Sequence, residues 1–186
     1  MNSAADGQRL FFALWPDEAL RHTLYKETRR AVRASGGKPV PAENFHITLA
    51  FLGHLDAAGA LAANAAAEAT TGEGFDLVLD RMGFWADARV AWLGAQTIPE
   101  AGSRFAAALR EALRTRGIAV DIRPFLPHVT LARKVSKPGS LGTLRPIRWP
   151  VREFVLVHSI PNRHTSEYRP LTSWPLRAPA AAAAEL

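Results

Sequence analysis

The stretch "HITLAFLG" at residues 46–53 has a close copy later in the chain, "HVTLARKV" at residues 128–135. β-Branched and apolar residues dominate both stretches, which therefore predict two β-strands. A buried strand normally carries apolar side chains, yet each copy has a histidine and a threonine two positions apart. Two copies of this pattern indicate an internal duplication of a strand that does more than fill the core.

Strand periodicity divides each copy into two faces, because successive side chains of a strand point to opposite sides of the sheet. One face presents an imidazole beside a hydroxyl in both copies, from His46, Thr48, His128 and Thr130. The other face is apolar and predicted to build the core, with Ile47, Leu49, Phe51, Val129 and Leu131. If a pseudo-twofold relates the duplicated strands, both His/Thr pairs converge on one cleft.

Strand and helix signals alternate along the chain, which predicts an α+β fold. Strands are expected at 9–15, 46–52, 75–85, 90–95, 128–134, 151–160 and within 167–176, with 75–85 and 90–95 forming a hairpin. Asp17 should cap a first helix that ends near residues 35–39. Asp56 and an alanine-rich second helix that ends near Ala69 are expected after the strand at 46–52. "TIPE" (97–100) suggests a capping box for a third helix, with Gly117 as its stop signal.

The composition restricts the class of protein. The chain has 186 residues and no cysteine, which excludes disulfides, thiolate nucleophiles and cysteine-bound zinc. A length of 186 residues suits a single domain of two small lobes, which we place at residues 1–177. Residues 178–186, "APAAAAAEL", are expected to be a frayed tail without function. Neither a signal peptide nor a membrane span is recognisable, so we expect a cytoplasmic protein without a membrane partner.

Positive charge is concentrated in the second half of the chain. Residues 1–93 carry a formal net charge of −2 and residues 94–186 carry +8. Eight of the basic residues fall near predicted loops and strand ends: Arg133, Lys134, Lys137, Arg145, Arg148, Arg152, Arg163 and Arg169. Such a field suits a polyanionic partner such as RNA, although the charge taken alone is better explained by a solvated arginine-rich surface.

Two histidines with neighbouring hydroxyls suit in-line displacement at a phosphodiester. Histidine titrates near neutral pH, so one imidazole can act as general base while the other acts as general acid. Threonine hydroxyls can donate hydrogen bonds to the non-bridging phosphate oxygens, where negative charge accumulates in the transition state. This chemistry needs no metal or other cofactor, and its rate should follow a bell-shaped dependence on pH.

The same residues resemble a known family. "HITL" (46–49) and "HVTL" (128–131) are similar to the paired motifs of the 2H phosphoesterase superfamily. The flanking stretches "RLFFAL", "NFHITLAFLG" and "PFLPHVTLAR", with Tyr168, Leu171 and "WPL" at 174–176, resemble its bacterial RNA 2',3'-cyclic phosphodiesterase branch, formerly called 2'-5' RNA ligase. The resemblance extends over about residues 9–176.

This resemblance implies a bilobal α+β fold, with two antiparallel sheets around a central cleft and helices on the outer faces. It also implies hydrolysis of a terminal 2',3'-cyclic phosphate on RNA to a 2'-phosphate, with His46 as proton donor, His128 as proton acceptor and both threonines on the phosphate. Phe12, Tyr168 and Arg133 are further candidates for substrate binding. Arg133 has the parity of the face opposite His128, so it should be structural unless a bulge or the strand end turns it. No protein partner is implied, and we expect a monomer.

Other functions fit the same residues. Ligation to a 2'-5' linkage is the reverse reaction at the same site, and a small cyclic phosphate is another substrate class. A non-catalytic RNA-binding module would use the basic half without the histidine chemistry. A histidine-bound metal enzyme is the least favoured, since neither motif has a carboxylate or third histidine at ligand spacing.

Overall fold

The computed structural model describes residues 7–140, 144–162 and 166–178. Arg163 and all but the first residue of the predicted tail lie outside the described residues. Ten strands are β1 (Gln8–Leu14), β2 (Lys38–Pro39), β3 (Ile47–Leu55), β4 (Phe75–Leu79), β5 (Arg81–Trp85), β6 (Val90–Gly94), β7 (His128–Arg133), β8 (Ile147–Val151), β9 (Glu153–Pro161) and β10 (Ser166–Pro175). Three α-helices are α1 (Glu18–Ala34), α2 (Ala57–Ala69) and α3 (Glu100–Arg114), and 3-10 turns lie at Ala42–Asn44 and Pro138–Ser140.

The predicted α+β class is confirmed, and the strands form two antiparallel sheets. The larger sheet has the order β10-β9-β1-β3-β7-β6-β5, with β2 pairing additionally with β7. The smaller sheet consists of β4 and β8. Eight of the ten strands thus belong to one sheet. Its two sides meet at the pair between Ile47 of β3 and Val129 of β7.

The main core lies between the larger sheet and the helices. Alternating residues of β1 divide between two apolar clusters: Leu10, Phe12 and Leu14 enter the main core with residues of all three helices. Phe11 and Ala13 enter a smaller cluster on the opposite side, together with Val155 and Val157 of β9. Because both faces of β1 are covered, this strand is buried on both sides.

Two of the three predicted helix starts are confirmed. The Asp17 carboxylate accepts the Leu20 amide at 2.8 Å, and Asp56 does the same for Gly59 at 2.8 Å. Each satisfies an amide that has no partner within its helix. The predicted capping box at 97–100 is wrong, because α3 starts directly after Pro99 without a side-chain cap. Glu100 instead pairs with Arg104 at 2.9 Å.

Two predicted strands are each divided between the sheets. The strand expected at 75–85 breaks at Asp80, where the carboxylate accepts the Gln96 amide at 2.8 Å. The strand expected at 151–160 breaks at Arg152, which separates β8 from β9. The predicted hairpin is therefore correct for β5 and β6 only, since β4 pairs with β8. Residues before each break form the small sheet and residues after it join the large one.

Candidate active site

The two histidine motifs meet at the centre of the larger sheet. Antiparallel pairing of Ile47 with Val129 sets His46 beside Thr130 and Thr48 beside His128. Ile47 and Val129 are fully buried in the core, whereas all four motif side chains are partly exposed on the other face. The structure thus brings together the four residues that strand parity predicted to share a face.

Each histidine ring is fixed by its own backbone in the same way. Nδ1 of His46 lies 2.7 Å from the carbonyl oxygen of Asn44, and Nδ1 of His128 lies 2.7 Å from that of Leu126. A carbonyl oxygen only accepts hydrogen bonds, so each Nδ1 carries the proton and donates it. In the neutral ring Nε2 is therefore free to accept a proton.

Aromatic rings surround both imidazoles. The Trp15 ring stacks on His46 with a centroid distance of 5.7 Å, and Phe11 and Tyr168 contact it at 4.9 and 5.1 Å. Trp85 meets His128 at 4.5 Å in an edge-to-face arrangement. Such packing leaves few orientations open to either imidazole.

Both imidazoles favour the neutral form in the free protein. Burial lowers the pKa of His46 from 6.5 to about 4, against the Asn44 hydrogen bond, which raises it; positive charge on His128 and Arg133 adds to the decrease. Burial also lowers the pKa of His128, and Arg133 contributes in the same direction. A bound anion would raise the pKa of both imidazoles.

A cleft of about 470 Å³ opens beside His46 and Thr130, whereas Thr48 and His128 are not part of its lining. Its lining combines cationic and polar side chains with one proline-rich wall: Arg9, Lys38, Pro39, Val40, Pro41, Asn44, His46, Thr130, Arg133, Asn162, Ser166 and Tyr168. The lining contains no carboxylate among the described residues, so its formal charge is positive. This environment favours an anionic ligand.

The position of Arg133 corrects the parity argument. The register between β6 and β7 shifts so that Ala91 pairs with Ala132 but Trp92 pairs with Thr130, which leaves Leu131 as an extra residue in β7. Such a β-bulge reverses the faces of the residues that follow it. Arg133 therefore lines the cleft with His46 and Thr130 instead of pointing to the opposite face.

The same irregularity occurs at the same place in the first motif. Ala13 pairs with Thr48 and Phe12 with Ala50, so Leu49 is the extra residue of β3. Phe51 is consequently 60% exposed, and its ring contacts Phe11 at 5.9 Å on the histidine face. The expectation that Phe51 belongs to the core was therefore wrong. Phe51 and Arg133 occupy matching positions, each five residues after its histidine.

Phe12 is not a substrate contact. Its side chain is 0% exposed and packs against Phe154 and Trp174 in the main core. The neighbouring Phe11 is the aromatic residue of β1 that contacts His46. Tyr168, by contrast, lines the cleft, so it remains a candidate for substrate binding.

Sequence reasoning missed several residues of the site. Arg9 and Lys38 come from the first half of the chain, so the positive charge at the cleft does not depend on the basic second half alone. Among the seven that the structure describes of the eight basic residues singled out earlier, Arg133 is the one that lines the cleft. Arg148 and Arg152 instead pair with Asp76, and Arg169 pairs with Glu167. A buried Asn44 also joins the site, donating to the Ser166 carbonyl at 2.8 Å.

Two further properties concern metals and membranes. Over residues 7–140, 144–162 and 166–178, no three histidine, aspartate or glutamate side chains are close enough together to hold a metal ion. No helix in the described part of the chain combines the length and hydropathy that crossing a lipid bilayer requires.

The low pKa of His46 predicts a loss of stability in acid. Between pH 6.5 and about 4 the unfolded chain binds a proton at this residue that the folded protein excludes, so the free energy of unfolding falls as pH falls through this range. His46 alone should contribute about 3 kcal/mol to this decrease, at about 1.4 kcal/mol per pKa unit. Urea denaturation at pH 7, 5.5 and 4.5 should show a shallower decrease for H46N than for wild type. The exposed His22 supplies the control variant H22N, which should follow wild type; an H46N protein as acid-sensitive as wild type would contradict the assignment.

Comparisons with known proteins identify the family of this chain. Residues 14–92 match the family model "LigT like Phosphoesterase". The chain is 35% identical over 174 residues to the RNA 2',3'-cyclic phosphodiesterase of Escherichia coli K12, covering 92% of this chain and 98% of that protein. It is 32% identical over 171 residues to the protein of the same name from Thermus thermophilus, covering 81% of each. The apo crystal structure of Escherichia coli LigT superposes with a TM-score of 0.82 at 35% identity, over 92% of this chain and 99% of that one. The chain therefore belongs to the LigT-like phosphoesterase family.

Proposed function

We propose that this protein hydrolyses 2',3'-cyclic phosphate ends of RNA to 2'-phosphates, with His46 and His128 as the acid–base pair. The observation that carries the proposal is the meeting of both His/Thr pairs on one sheet face beside a cationic cleft. The names of the Escherichia coli and Thermus thermophilus relatives support the choice of substrate. A crystal structure of Escherichia coli LigT with 3'-AMP superposes with a TM-score of 0.80 and supports a nucleotide ligand.

The proton transfers follow from the free Nε2 atoms. His128 accepts a proton from water through Nε2 as the water oxygen attacks phosphorus. The bond from phosphorus to the 3'-oxygen breaks, and His46 donates its Nε2 proton to that oxygen. The products are a 2'-phosphate and a free 3'-hydroxyl, and solvent returns both histidines to their starting states.

His46 has to gain a proton before it can act as the acid. Its pKa of about 4 in the free protein is low because the ring is buried and faces positive charge. The anionic cyclic phosphate brings negative charge to both imidazoles and raises their pKa values. Substrate binding thus creates the protonated His46 that the reaction requires. Because one histidine must be protonated and the other neutral, the rate should fall at both low and high pH.

Charge on the phosphate is stabilised from several sides. Thr48 and Thr130 hold hydroxyl donors on the same face as the imidazoles, and Arg133 lines the same cleft as Thr130. These donors act on the non-bridging oxygens, where charge is greatest in the transition state. Phe51 and Tyr168 lie on the His46 side, where an exposed ring can stack on the terminal base.

We also propose that the fold is a bilobal pseudo-dimer. Going outward from the central pair, the strands are β3, β1 and β9 on one side and β7, β6 and β5 on the other. In chain order the matching series are β1-α1-β3-β4-β5 and β6-α3-β7-β8-β9. The matched bulges at Leu49 and Leu131 support the same pseudo-twofold, which would pass between Ile47 and Val129.

The remaining expectations stay predictions. We propose that residues 1–177 form one domain, that the protein acts as a cytoplasmic monomer, and that it needs no metal or other cofactor. Ligation in the reverse direction uses the same groups, with a 5'-hydroxyl replacing water. Product analysis with and without a 5'-hydroxyl RNA acceptor separates hydrolysis from ligation.

Removal of either histidine should abolish hydrolysis. An RNA oligomer with a 2',3'-cyclic phosphate end, incubated in EDTA, should yield a 2'-phosphate with wild type. H46A and H128A should each be slower by at least about 100-fold, since general acid–base groups contribute about 10²–10⁴-fold. H22A changes an exposed histidine of α1 and should behave as wild type. Full activity in either site variant, or no turnover by folded wild type, would refute the proposal.

Salt dependence should distinguish RNA from a small cyclic phosphate as the preferred substrate. An oligomer that contacts the cleft through several phosphates releases counterions on binding, so its KM should rise steeply with salt concentration. A mononucleotide 2',3'-cyclic phosphate has one phosphate to bind and should show a weaker dependence. Equal slopes for the two substrates, measured between 50 and 300 mM KCl at about constant pH, would favour a small-molecule substrate.

A further inference from the structure

The bulge in β3 leaves Leu49 outside the regular residue pairing of the sheet. The register pairs Thr48 with Ala13 and Ala50 with Phe12, so Leu49 has no partner in β1. On its other side β3 pairs with β7 only through Ile47. An unpaired carbonyl in a largely buried strand is costly, so the Leu49 oxygen needs a donor from elsewhere.

Arg110 of α3 supplies that donor. Its Nε–H donates to the Leu49 carbonyl at 3.1 Å, across 61 positions of sequence. This hydrogen bond gives the Leu49 carbonyl oxygen a donor. The same bulge follows His46 and Thr48 and turns Phe51 to the histidine face, so the geometry of the first motif depends on it.

A second nitrogen of the Arg110 guanidinium contacts the loop that precedes the second motif. Its Nη1–H donates to the Arg123 carbonyl at 2.6 Å. Asp121 holds the same residue from the other side, accepting the Arg123 amide at 2.9 Å and its Nε–H at 2.7 Å. Three residues further on, the Leu126 carbonyl accepts the Nδ1–H of His128. The loop that Arg110 restrains is therefore the one that orients His128.

We propose that Arg110 is a positioning residue that fixes His46 and His128 relative to each other, which rests on the function proposed above. It does not line the cleft, and it acts through the backbone of the first motif and of the loop that precedes the second. An arginine is required because its planar fork presents two donors in fixed directions, whereas a lysine ammonium cannot reproduce that geometry. Acid and base must lie on opposite sides of one phosphorus, so a small displacement of either affects the rate.

Substitution of Arg110 should lower kcat with little change in KM. R110A should reduce kcat by at least about 10-fold, because displacements near 1 Å cost up to about 100-fold. R110K should remain impaired by at least about threefold, since it restores charge without the fork. R114A is the matched control, because Arg114 lies one turn later on α3 in an exposed pair with Glu111. All assays are run below the melting temperature of every variant, so that unfolding does not contribute.

Two measurements separate positioning from stability. Added guanidinium at about 20 mM, far below denaturing concentrations, should restore part of kcat in R110A and none in R114A. Imidazole ¹H–¹⁵N spectra should show shifts of His46 and His128 in R110A, while His22, exposed on α1, stays unchanged.

The outcomes are distinct. If folded R110A keeps wild-type kcat and unmoved imidazole signals, the positioning role is wrong. A uniform loss of stability with kcat per folded molecule unchanged would also overturn it. If wild type itself fails to hydrolyse the cyclic phosphate, the proposed function fails, whereas shifted His46 and His128 signals in R110A would still support the structural link.

Discussion

One backbone pair, Ile47 with Val129, determines how the rest of the molecule is arranged. It joins β3 to β7 and so connects the two sides of the eight-stranded sheet. Since paired residues of antiparallel strands point to the same face, burying both side chains in the core sends all four His and Thr residues to the other side. A slip of one residue between β3 and β7 would turn one of the two imidazoles toward the core. The burial of Ile47 and Val129 therefore fixes the register of β3 against β7 and, with it, the position of the two imidazoles.

In both motif strands, the alternation of side chains between the two faces of the sheet is interrupted after the leucine of the motif. In each case the bulge keeps two consecutive residues buried, Leu49 with Ala50 and Leu131 with Ala132. The fifth residue after each histidine consequently returns to the histidine face. In the first half that residue is an aromatic ring, and in the second it is a guanidinium. The same bulge in both strands thus presents the Phe51 ring after the first motif and the Arg133 guanidinium after the second. An aromatic ring and a positive charge together suit a ligand with a base and a phosphate, such as a nucleotide.

Strand parity predicted the core of the site because it depends only on local alternation. His46, Thr48, His128 and Thr130 could be recognised from their repeated spacing, and Asp17 from helix-cap chemistry. The bulges could not be predicted, since they are defined by the register against a partner strand. This explains both the error at Phe51 and the turn of Arg133 into the cleft. Parity also could not decide between Phe11 and Phe12, because β1 is buried on both faces. The strand breaks at Asp80 and Arg152 likewise depend on pairing between β4 and β8, which are 72 positions apart at Asp76 and Arg148.

The central claim is that two histidines on opposite sides of one phosphorus carry out a single in-line displacement. The most direct test is the stereochemical course at phosphorus, using one diastereomer of a nucleoside 2',3'-cyclic phosphorothioate hydrolysed in ¹⁸O-labelled water. A single displacement by water predicts inversion of configuration in the 2'-phosphorothioate product. Retention would require two successive displacements through a covalent intermediate, and would contradict the acid–base roles assigned to His46 and His128.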